Sequence, residues 1–334
     1  MKLLKRLRKW LIGIAAVILL SLLALVIWNA VVFSGLSRFS EIAFDFPGAE
    51  DSAFDLQAIA WDERAEIFFF SGYMKNKTAC PVYLVSPGKE TRRVSLLRAN
   101  GSPLVTHAGG IAISGDYFYV ADSVDECLVV FSRQEILSAR DGDGVRSIGN
   151  FATAVSPDDG IKPSFITAAD GKLYVGEYHL PLLPVFSQRR NHHIGSSYAI
   201  MAAFSVDPSK PLGLAEAPCE AYCLPEAVQG AVFDNSGRIF LSRCVFLFPS
   251  AIDAWQPSVS GQMTLMGNEV PVYTLTQTGG VAFVPLSEQI ELVDGKLYVA
   301  TEACAYLPSW IYSMWDWQKC RAIDLSVFEA TPLP

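Results

Sequence analysis

Apolar and polar residues alternate in short segments along most of the chain, and this alternation predicts β-strands. Five segments share one form: a short apolar strand, a tight polar turn, and a second strand that alternates aromatic and aliphatic residues. They begin at Leu56, Gly109, Ser164, Gln229 and Glu288. Their turns contain Gly, Asp and Asn, which supply the positive φ that a tight hairpin needs. The pattern therefore predicts an all-β chain built from repeated hairpins.

The period of this repeat indicates the architecture. Spacings of 51, 55, 66 and 58 residues separate the aligned positions Ile67, Phe118, Leu173, Ile239 and Leu297. Sets of three or four strands at this period are typical of β-propeller blades, whereas an immunoglobulin-like array would need domains of about 100 residues. We predict a β-propeller with five visible blades, and the longer gaps leave room for a sixth. We also expect residues 40–46 to add the outer strand of the last blade and close the ring.

The N-terminus differs from the rest of the chain. A basic cluster in residues 1–9 precedes 18 uncharged residues, long enough to cross a bilayer core. The stretch is longer than the apolar part of a signal peptide and lacks a clean Ala-x-Ala site, so an anchor is favoured over a cleaved signal. We divide the chain into a short cytoplasmic segment at 1–9, a transmembrane anchor at 10–33, a linker with the ring-closing strand at 34–55, and the propeller at 56–334.

Charge defines the expected location and partners. The basic cluster places the N-terminus in the cytoplasm, so the chain is expected in the cell membrane as a single-pass protein with the propeller outside. Beyond Arg38 the chain has 20 basic residues against 34 acidic ones. A surface of that charge disfavours nucleic acid. The membrane, reached through the helix, and an extracellular protein or small-molecule ligand are the expected partners.

Seven cysteines follow the anchor, in a compartment where disulfides are allowed. We expect Cys304 and Cys320 to pair across a Trp-rich insert, and Cys219 and Cys223 to close a small loop. Neither spacing is a zinc signature.

A resemblance emerges in the second repeat, which reads HAGGIAISGDYFYVADSVDECLVVFS from His107. This stretch resembles an NHL-repeat blade, in which a strand, a Gly-containing turn, a YVAD strand and a VF strand follow in order. More widely, the chain is similar to the propellers of strictosidine synthase-like proteins, gluconolactonase-like enzymes and arylesterase/paraoxonase lactonases. That group contains binding modules and calcium-dependent hydrolases, so the resemblance implies a fold and leaves the function open.

The blade pattern places candidate site residues at one mouth of the central channel, because first strands start there and second strands end there. Gln57, His107, Ser164, Gln229 and Glu288 start first strands, and Asp122, Glu177, Arg243 and Glu302 end second strands. We expect the ligand-binding set to comprise Gln57, Asp122, Glu177, Gln229 and Glu302.

A hydrolase of the lactonase type would use the same mouth differently. Its calcium would be held by Glu177, Glu288 and Glu302, since oxygen ligands suit calcium. His107 and Glu288 would then be the catalytic residues. The alternative is structural: Asp122 and Glu177 cap the turns that follow their strands. The lactonase-like enzymes carry Glu, Asn and Asp as calcium ligands, whereas Gln and Ser occupy several of these positions here.

Two further features are weaker candidates. His192 and His193 are adjacent in a loop, and Trp310, Trp315 and Trp317 form a cluster that either contacts a ligand or packs over the rim. The chain has no G-x-S-x-G, H-E-x-x-H, phosphate-loop or dinucleotide motif. The sequence thus favours a membrane-anchored, extracytoplasmic β-propeller that binds a ligand or protein. The alternative is a calcium-dependent hydrolase of the lactonase or gluconolactonase type, and whether the chain is an enzyme stays open.

Overall fold

The computed structural model describes residues 2–33, 35–86, 89–180, 197, 199–302, 304 and 316–330. The chain begins with a long helix, α1 (Lys2–Phe33), followed by the short helix α2 (Leu36–Phe39). Within α1, the segment Arg6–Trp28 has a mean hydropathy of 2.9, and its apolar side chains are exposed. One N-terminal helix is therefore apolar and long enough to cross a membrane, as predicted.

The first two blades follow the ring-closing strand β1 (Ser40–Asp45). Blade 1 contains, from the channel outward, β2 (Phe54–Asp62), β3 (Ile67–Met74), β4 (Pro81–Val85) and β5 (Arg92–Leu97). Blade 2 begins with β6 (Ile111–Ser114), β7 (Tyr117–Asp122) and β8 (Cys127–Ser132). Helix α3 (Arg133–Ser138) then leads to β9 (Gly144–Arg146), which joins the edge of blade 1, and to β10 (Gly149–Ala152), the outer strand of blade 2.

A small hairpin, β11 (Ala154–Ser156) and β12 (Asp159–Gly160), leads to the remaining three blades. Blade 3 comprises β13 (Phe165–Ala169), β14 (Lys172–Gly176), β15 (Ala199–Val206) and β16 (Leu214–Leu224). Blade 4 comprises β17 (Val228–Phe233), β18 (Ile239–Arg243), β19 (Ser250–Leu265) and β20 (Asn268–Phe283). Blade 5 comprises β21 (Ser287–Val293), β22 (Lys296–Thr301), β23 (Lys319–Asp324) and β1, and the helix α4 (Val327–Ala330) follows.

The repeat alignment is confirmed by strand pairing. Each aligned residue pairs with the last or next-to-last residue of its blade's first strand: Asp62 with Ile67, Ile113 with Phe118, Ala168 with Leu173, Phe233 with Ile239, and Leu292 with Leu297. The described residues form five blades, and none of them forms a sixth.

Packing between blades explains why the hairpins repeat. Five clusters of buried apolar side chains hold the ring together, one between each pair of neighbouring blades. Phe69 of blade 1 and Phe118 of blade 2, for example, lie 5.4 Å apart between ring centroids. Each hairpin therefore buries its aromatic and aliphatic residues only when the next blade is in place.

Both ends of the chain contribute to blade 5, as the sequence predicted. Strand β1 pairs antiparallel with β23, and the Phe46 amide donates to the Gln318 carbonyl. Ser40 is opposite Ile323, which in turn pairs with Leu297 at the start of β22. The N-terminal helices therefore join the propeller at the end of blade 5 that lies farthest from Glu302.

The predicted disulfides are not formed, because all seven cysteines are free thiols. Cys219 and Cys223 lie in one extended strand, where four residues span about 13 Å, well beyond the reach of a disulfide. Cys320 is fully buried in β23 and donates to the Val299 carbonyl instead. Both predicted pairs were therefore wrong.

Candidate functional site

One side chain bridges the inner strands of three blades. Gln289, in β21, is 1% exposed and donates to the carbonyls of Ile111 (2.7 Å) and Ile166 (2.9 Å) while accepting from the Ile111 amide (2.9 Å). It thus links blades 2, 3 and 5 across the axis. The inner strands of neighbouring blades approach so closely that a Cβ on Gly230 would lie 2.7 Å from the Gln289 Cα. The inner strands are therefore closely packed at the level of Gln289.

Above Gln289 lies a cavity of about 360 Å³, within the range of small-molecule sites. Most of its lining residues start first strands or follow second strands, as the repeat predicted. They are Gln57, His107, Gly109, Ser123, Lys162, Ser164, Tyr178, Gln229, Cys244, Phe246 and Glu302. The sequence-predicted residues Gln57, His107, Gln229 and Glu302 thus meet at one mouth.

His107 occupies a different position from the one its alignment suggested. Strand pairing makes Gly109, not His107, equivalent to Ser164, Gln229 and Glu288, so the histidine lies two residues farther out. Its ring stacks on Tyr73 with centroids 5.0 Å apart. Desolvation by the surrounding protein lowers the pKa of His107 to about 4. This lowered pKa favours a neutral imidazole at neutral pH.

Three of the residues that end second strands are engaged in the framework. Asp122 is fully buried and accepts from the Thr106 hydroxyl, from Arg98 and from the amides of Val124 and Asp125. The two oxygens of Glu177 accept from the amides of Lys162 (3.3 Å) and Ile200 (3.2 Å). Arg243 pairs with Asp253. These contacts match the capping alternative for Asp122 and Glu177.

Glu302 is different, because its carboxyl group lines the cavity among other carboxyl groups. Gln57 Nε2 donates to Glu302 Oε2 (2.7 Å) and to Asp55 Oδ1 (3.1 Å). The side chains of Asp55 and Glu302 are themselves close enough to share a hydrogen bond. Gln229 Nε2 donates to the buried Glu288 (3.1 Å), and the charge of Glu302 acts on Glu288. We call Asp55, Glu288 and Glu302 the mouth carboxyl cluster.

Asp55 was not predicted as a site residue. It is the second residue of β2, and a register shift between Leu56 and Ala58 displaces Gln57 from the strand repeat. The acid beside this bulge is thereby brought to the mouth, although it lies outside the aligned positions.

Burial favours protonation throughout this cluster. Desolvation, followed by the nearby charge of Asp55, raises the pKa of Glu302 to about 8. Desolvation also raises the pKa of Asp55, and desolvation together with the charge of Glu302 raises that of Glu288 well above its usual value. The Cys244 thiol has its pKa raised by burial to about 11, so it remains an un-ionised and unreactive group.

The predicted calcium ligands do not come together as a metal site. Among the described residues, no group of three or more His, Cys, Asp or Glu side chains is arranged to hold a metal ion. Glu177 is occupied by backbone amides of blade 3, while Glu288 and Glu302 interact with glutamine amides of blades 4 and 1. The residues present do not fit the calcium set, and we derive no chemistry through it.

Other candidates are only partly described. His192, His193, Trp310 and Trp315 lie outside the described residues. Trp317 is 3% exposed and packs in the core between blades 4 and 5, as expected if the Trp-rich segment packs over the rim.

Comparisons with known proteins add little to this geometry. No protein-family model matches the chain, and no curated protein matches it. Solved structures with a similar arrangement include the PQQ-bound aldose sugar dehydrogenase of Streptomyces coelicolor (13% identity, TM-score 0.43, covering 85% of this chain and 97% of that one). A gluconolactonase of Xanthomonas campestris is also similar (8% identity, TM-score 0.40, covering 88% and 95%).

Hydrazine synthase of Kuenenia stuttgartiensis is matched over 76% of this chain at 11% identity and a TM-score of 0.38, and the chain spans 58% of that protein's length. At these identities and scores we draw no argument about activity. The β-propeller assignment rests on the blade topology of the chain itself.

Proposed function

We propose that this protein is a membrane-anchored, extracytoplasmic β-propeller that binds a small polar ligand in the mouth of its channel. The observation that carries the proposal is the cavity at the mouth, which is lined by amide, hydroxyl and carboxyl side chains from several blades. A few polar groups in a concave site of this size are typical of ligand recognition.

Thermal unfolding of the full chain in detergent, with a panel of sugars, amino acids, amines and nucleosides, tests this function. A ligand present at 100 times its dissociation constant adds about 2.7 kcal/mol to the stability of the folded state. For each ligand that raises the unfolding temperature, we expect the rise to disappear in Gln229→Leu. It should persist in Gln262→Leu, because Gln262 lies in the outer hairpin of blade 4, away from the mouth. A panel without any stabilising compound would contradict the proposal.

A hydrolase is the second candidate, and the contact between Asp55 and Glu302 favours it. Two carboxyl groups whose environments differ are able to act as an acid and a base on one bound substrate. Lactone and ester hydrolysis should then be lost in Glu302→Gln and unaffected in Glu216→Gln, which changes an exposed residue of β16. Repeating the assay with EDTA and with calcium separates a metal-dependent activity from a carboxyl-dependent one.

A further inference from the structure

Arginine neutralises most of the buried carboxyl groups of this propeller. Four buried aspartates form ion pairs: Asp62 with Arg133, Asp122 with Arg98, Asp234 with Arg238, and Asp253 with Arg243. Burying a carboxylate is costly unless it is paired or hydrogen-bonded. These pairs show how the framework usually compensates that cost.

The mouth carboxyl cluster is compensated less directly. In the described part of the chain, no lysine or arginine forms an ion pair with Asp55, Glu288 or Glu302, although Lys75 is near enough for its charge to lower the pKa of Asp55 and of Glu302. Asp55 and Glu288 are 0% and 1% exposed, and their hydrogen-bond donors are neutral groups, Gln57 and Gln229 among them.

One carboxyl group of the cluster is incompletely satisfied. Asp55 Oδ2 is buried and accepts no hydrogen bond, although Oδ1 of the same group accepts from Gln57. The Tyr73 hydroxyl also acts on this carboxyl group and lowers its pKa, against the larger effect of desolvation. A buried acceptor without a donor is rare in native proteins and calls for an explanation. Here it lies beside Glu302, whose own carboxyl group opens onto the cavity.

Aromatic rings surround the same cavity. Tyr178 and Phe246 line it, and Phe246 is 51% exposed. His107, whose ring stacks on Tyr73, forms another part of the wall. The faces of such rings attract cations. Lys162 is the one lysine or arginine among the described residues that line the cavity, and the pKa of His107, the other basic side chain there, is lowered by desolvation.

From these features we infer that the ligand of the mouth is an organic cation, with an ammonium group that binds Glu302 and is supported by Asp55 and Glu288. The inference rests on the proposed ligand-binding function and names its ligand class. An ammonium group brings three donors and a positive charge to carboxyl groups that form no ion pair with the described residues. The net negative charge of the propeller would also favour the approach of a cation.

Pairs of probes that differ only in charge test the inference. Benzylamine and n-butylamine are compared with benzyl alcohol and n-butanol on the full chain in detergent, at constant pH and ionic strength. We expect the amines to raise the unfolding temperature and to bind by calorimetry, and the alcohols to do neither. Glu302→Gln should weaken amine binding at least tenfold, whereas Glu216→Gln should leave it unchanged. Because glutamine preserves the shape of the side chain, the unfolding temperature of Glu302→Gln itself reports whether that variant folds.

The outcomes separate the two proposals. Equal binding of amines and alcohols would overturn the cationic ligand and leave ligand binding in the mouth intact. Stabilisation by calcium alone, lost in Glu302→Gln, would assign the cluster to a metal instead. If neither the amines nor any compound of the wider panel binds, both the cationic ligand and the ligand-binding function are overturned.

Discussion

At the scale of single residues, some acids of the mouth stabilise the folded state, and others destabilise it when they are charged. Asp122 accepts four hydrogen bonds and pairs with Arg98, so it stabilises the turn that follows β7. Glu302 is desolvated beside Asp55, and its charged form is therefore unfavourable. Asp122 ends its second strand and Glu302 directly follows the end of its own, yet their surroundings give them opposite effects on stability.

Glu302→Gln should stabilise the protein at alkaline pH. Because the pKa of Glu302 is raised from 4.5 to about 8 in the folded state, the folded chain keeps a proton that the unfolded chain has lost between these values. Stability therefore decreases as pH rises through this range. We expect the variant to be more stable than the native chain by about 1–3 kcal/mol at pH 9, and equally stable at pH 4. Chemical unfolding at both pH values measures the difference, and a gain that is independent of pH would contradict the assignment.

Asp122→Ala should have the opposite effect. Removing the carboxylate leaves the Thr106 hydroxyl and two backbone amides without their acceptor. Such losses cost about 2–4 kcal/mol when the site is buried. Urea unfolding at neutral pH provides the measurement, with Asp125→Ala as the control, because that side chain is half-exposed and has only Arg98 as an ion-pair partner. Similar stabilities of the two variants would show that Asp122 is not a structural acid.

At the scale of elements, the long hairpin of blade 4 contacts blades 2 and 3 at the outside of the ring. Its strands β19 and β20 are 16 residues each, and β20 pairs in parallel with β16 of blade 3. At its tip, Leu265 and Met266 pack into the core between blades 2 and 3. One blade thus contacts three others, and the contacts at the tip should contribute to stability.

Asp159 binds that tip through hydrogen bonds: its carboxylate accepts from the amides of Met266 (2.7 Å) and Gly267 (3.1 Å). We expect Asp159→Ala to lower stability by about 1–3 kcal/mol, because hydrogen bonds to charged groups are stronger than neutral ones. Asp158→Ala changes the exposed neighbour and should be neutral. Proteolysis of the hairpin, followed by mass spectrometry, should be faster only in Asp159→Ala. Equal cleavage of both variants would show that the tip is held by its apolar contacts alone.

The length of this hairpin was not predicted from the sequence, whereas the inner hairpins were. The alternation of apolar residues and the turn glycines predicted each inner hairpin and the closing strand, because those strands bury one face against a neighbouring blade. The length of β19 was hidden by Pro257 and Gly261, which usually mark the end of a strand. In the structure both lie close to register shifts, between Ala254 and Trp255 and between Val259 and Gly261, so the strand bends and continues. Asp55 was missed for a related reason, since a bulge moved blade 1 out of the repeat.

At the scale of the whole molecule, topology determines which way the mouth faces. Strand β1 begins level with Leu297, at the opposite end of blade 5 from Glu302, and the apolar helix α1 precedes it. If α1 spans a membrane, the mouth therefore opens away from it. Phe246, Leu247 and Phe248, which are exposed beside the mouth after β18, would then meet soluble partners instead of lipid.

Fluorophores attached to single introduced cysteines should reveal this orientation in liposomes that contain nitroxide-labelled lipids. A probe on Phe248→Cys, at the mouth, should be quenched little, because the propeller separates it from the bilayer. A probe on Ser37→Cys, between α1 and the ring-closing strand, should be quenched strongly. The native chain carried through the same labelling corrects for its seven cysteines, five of which are buried. Strong quenching at Phe248→Cys would place the mouth against the membrane and would make lipid, and not a soluble cation, the first molecule to consider for this site.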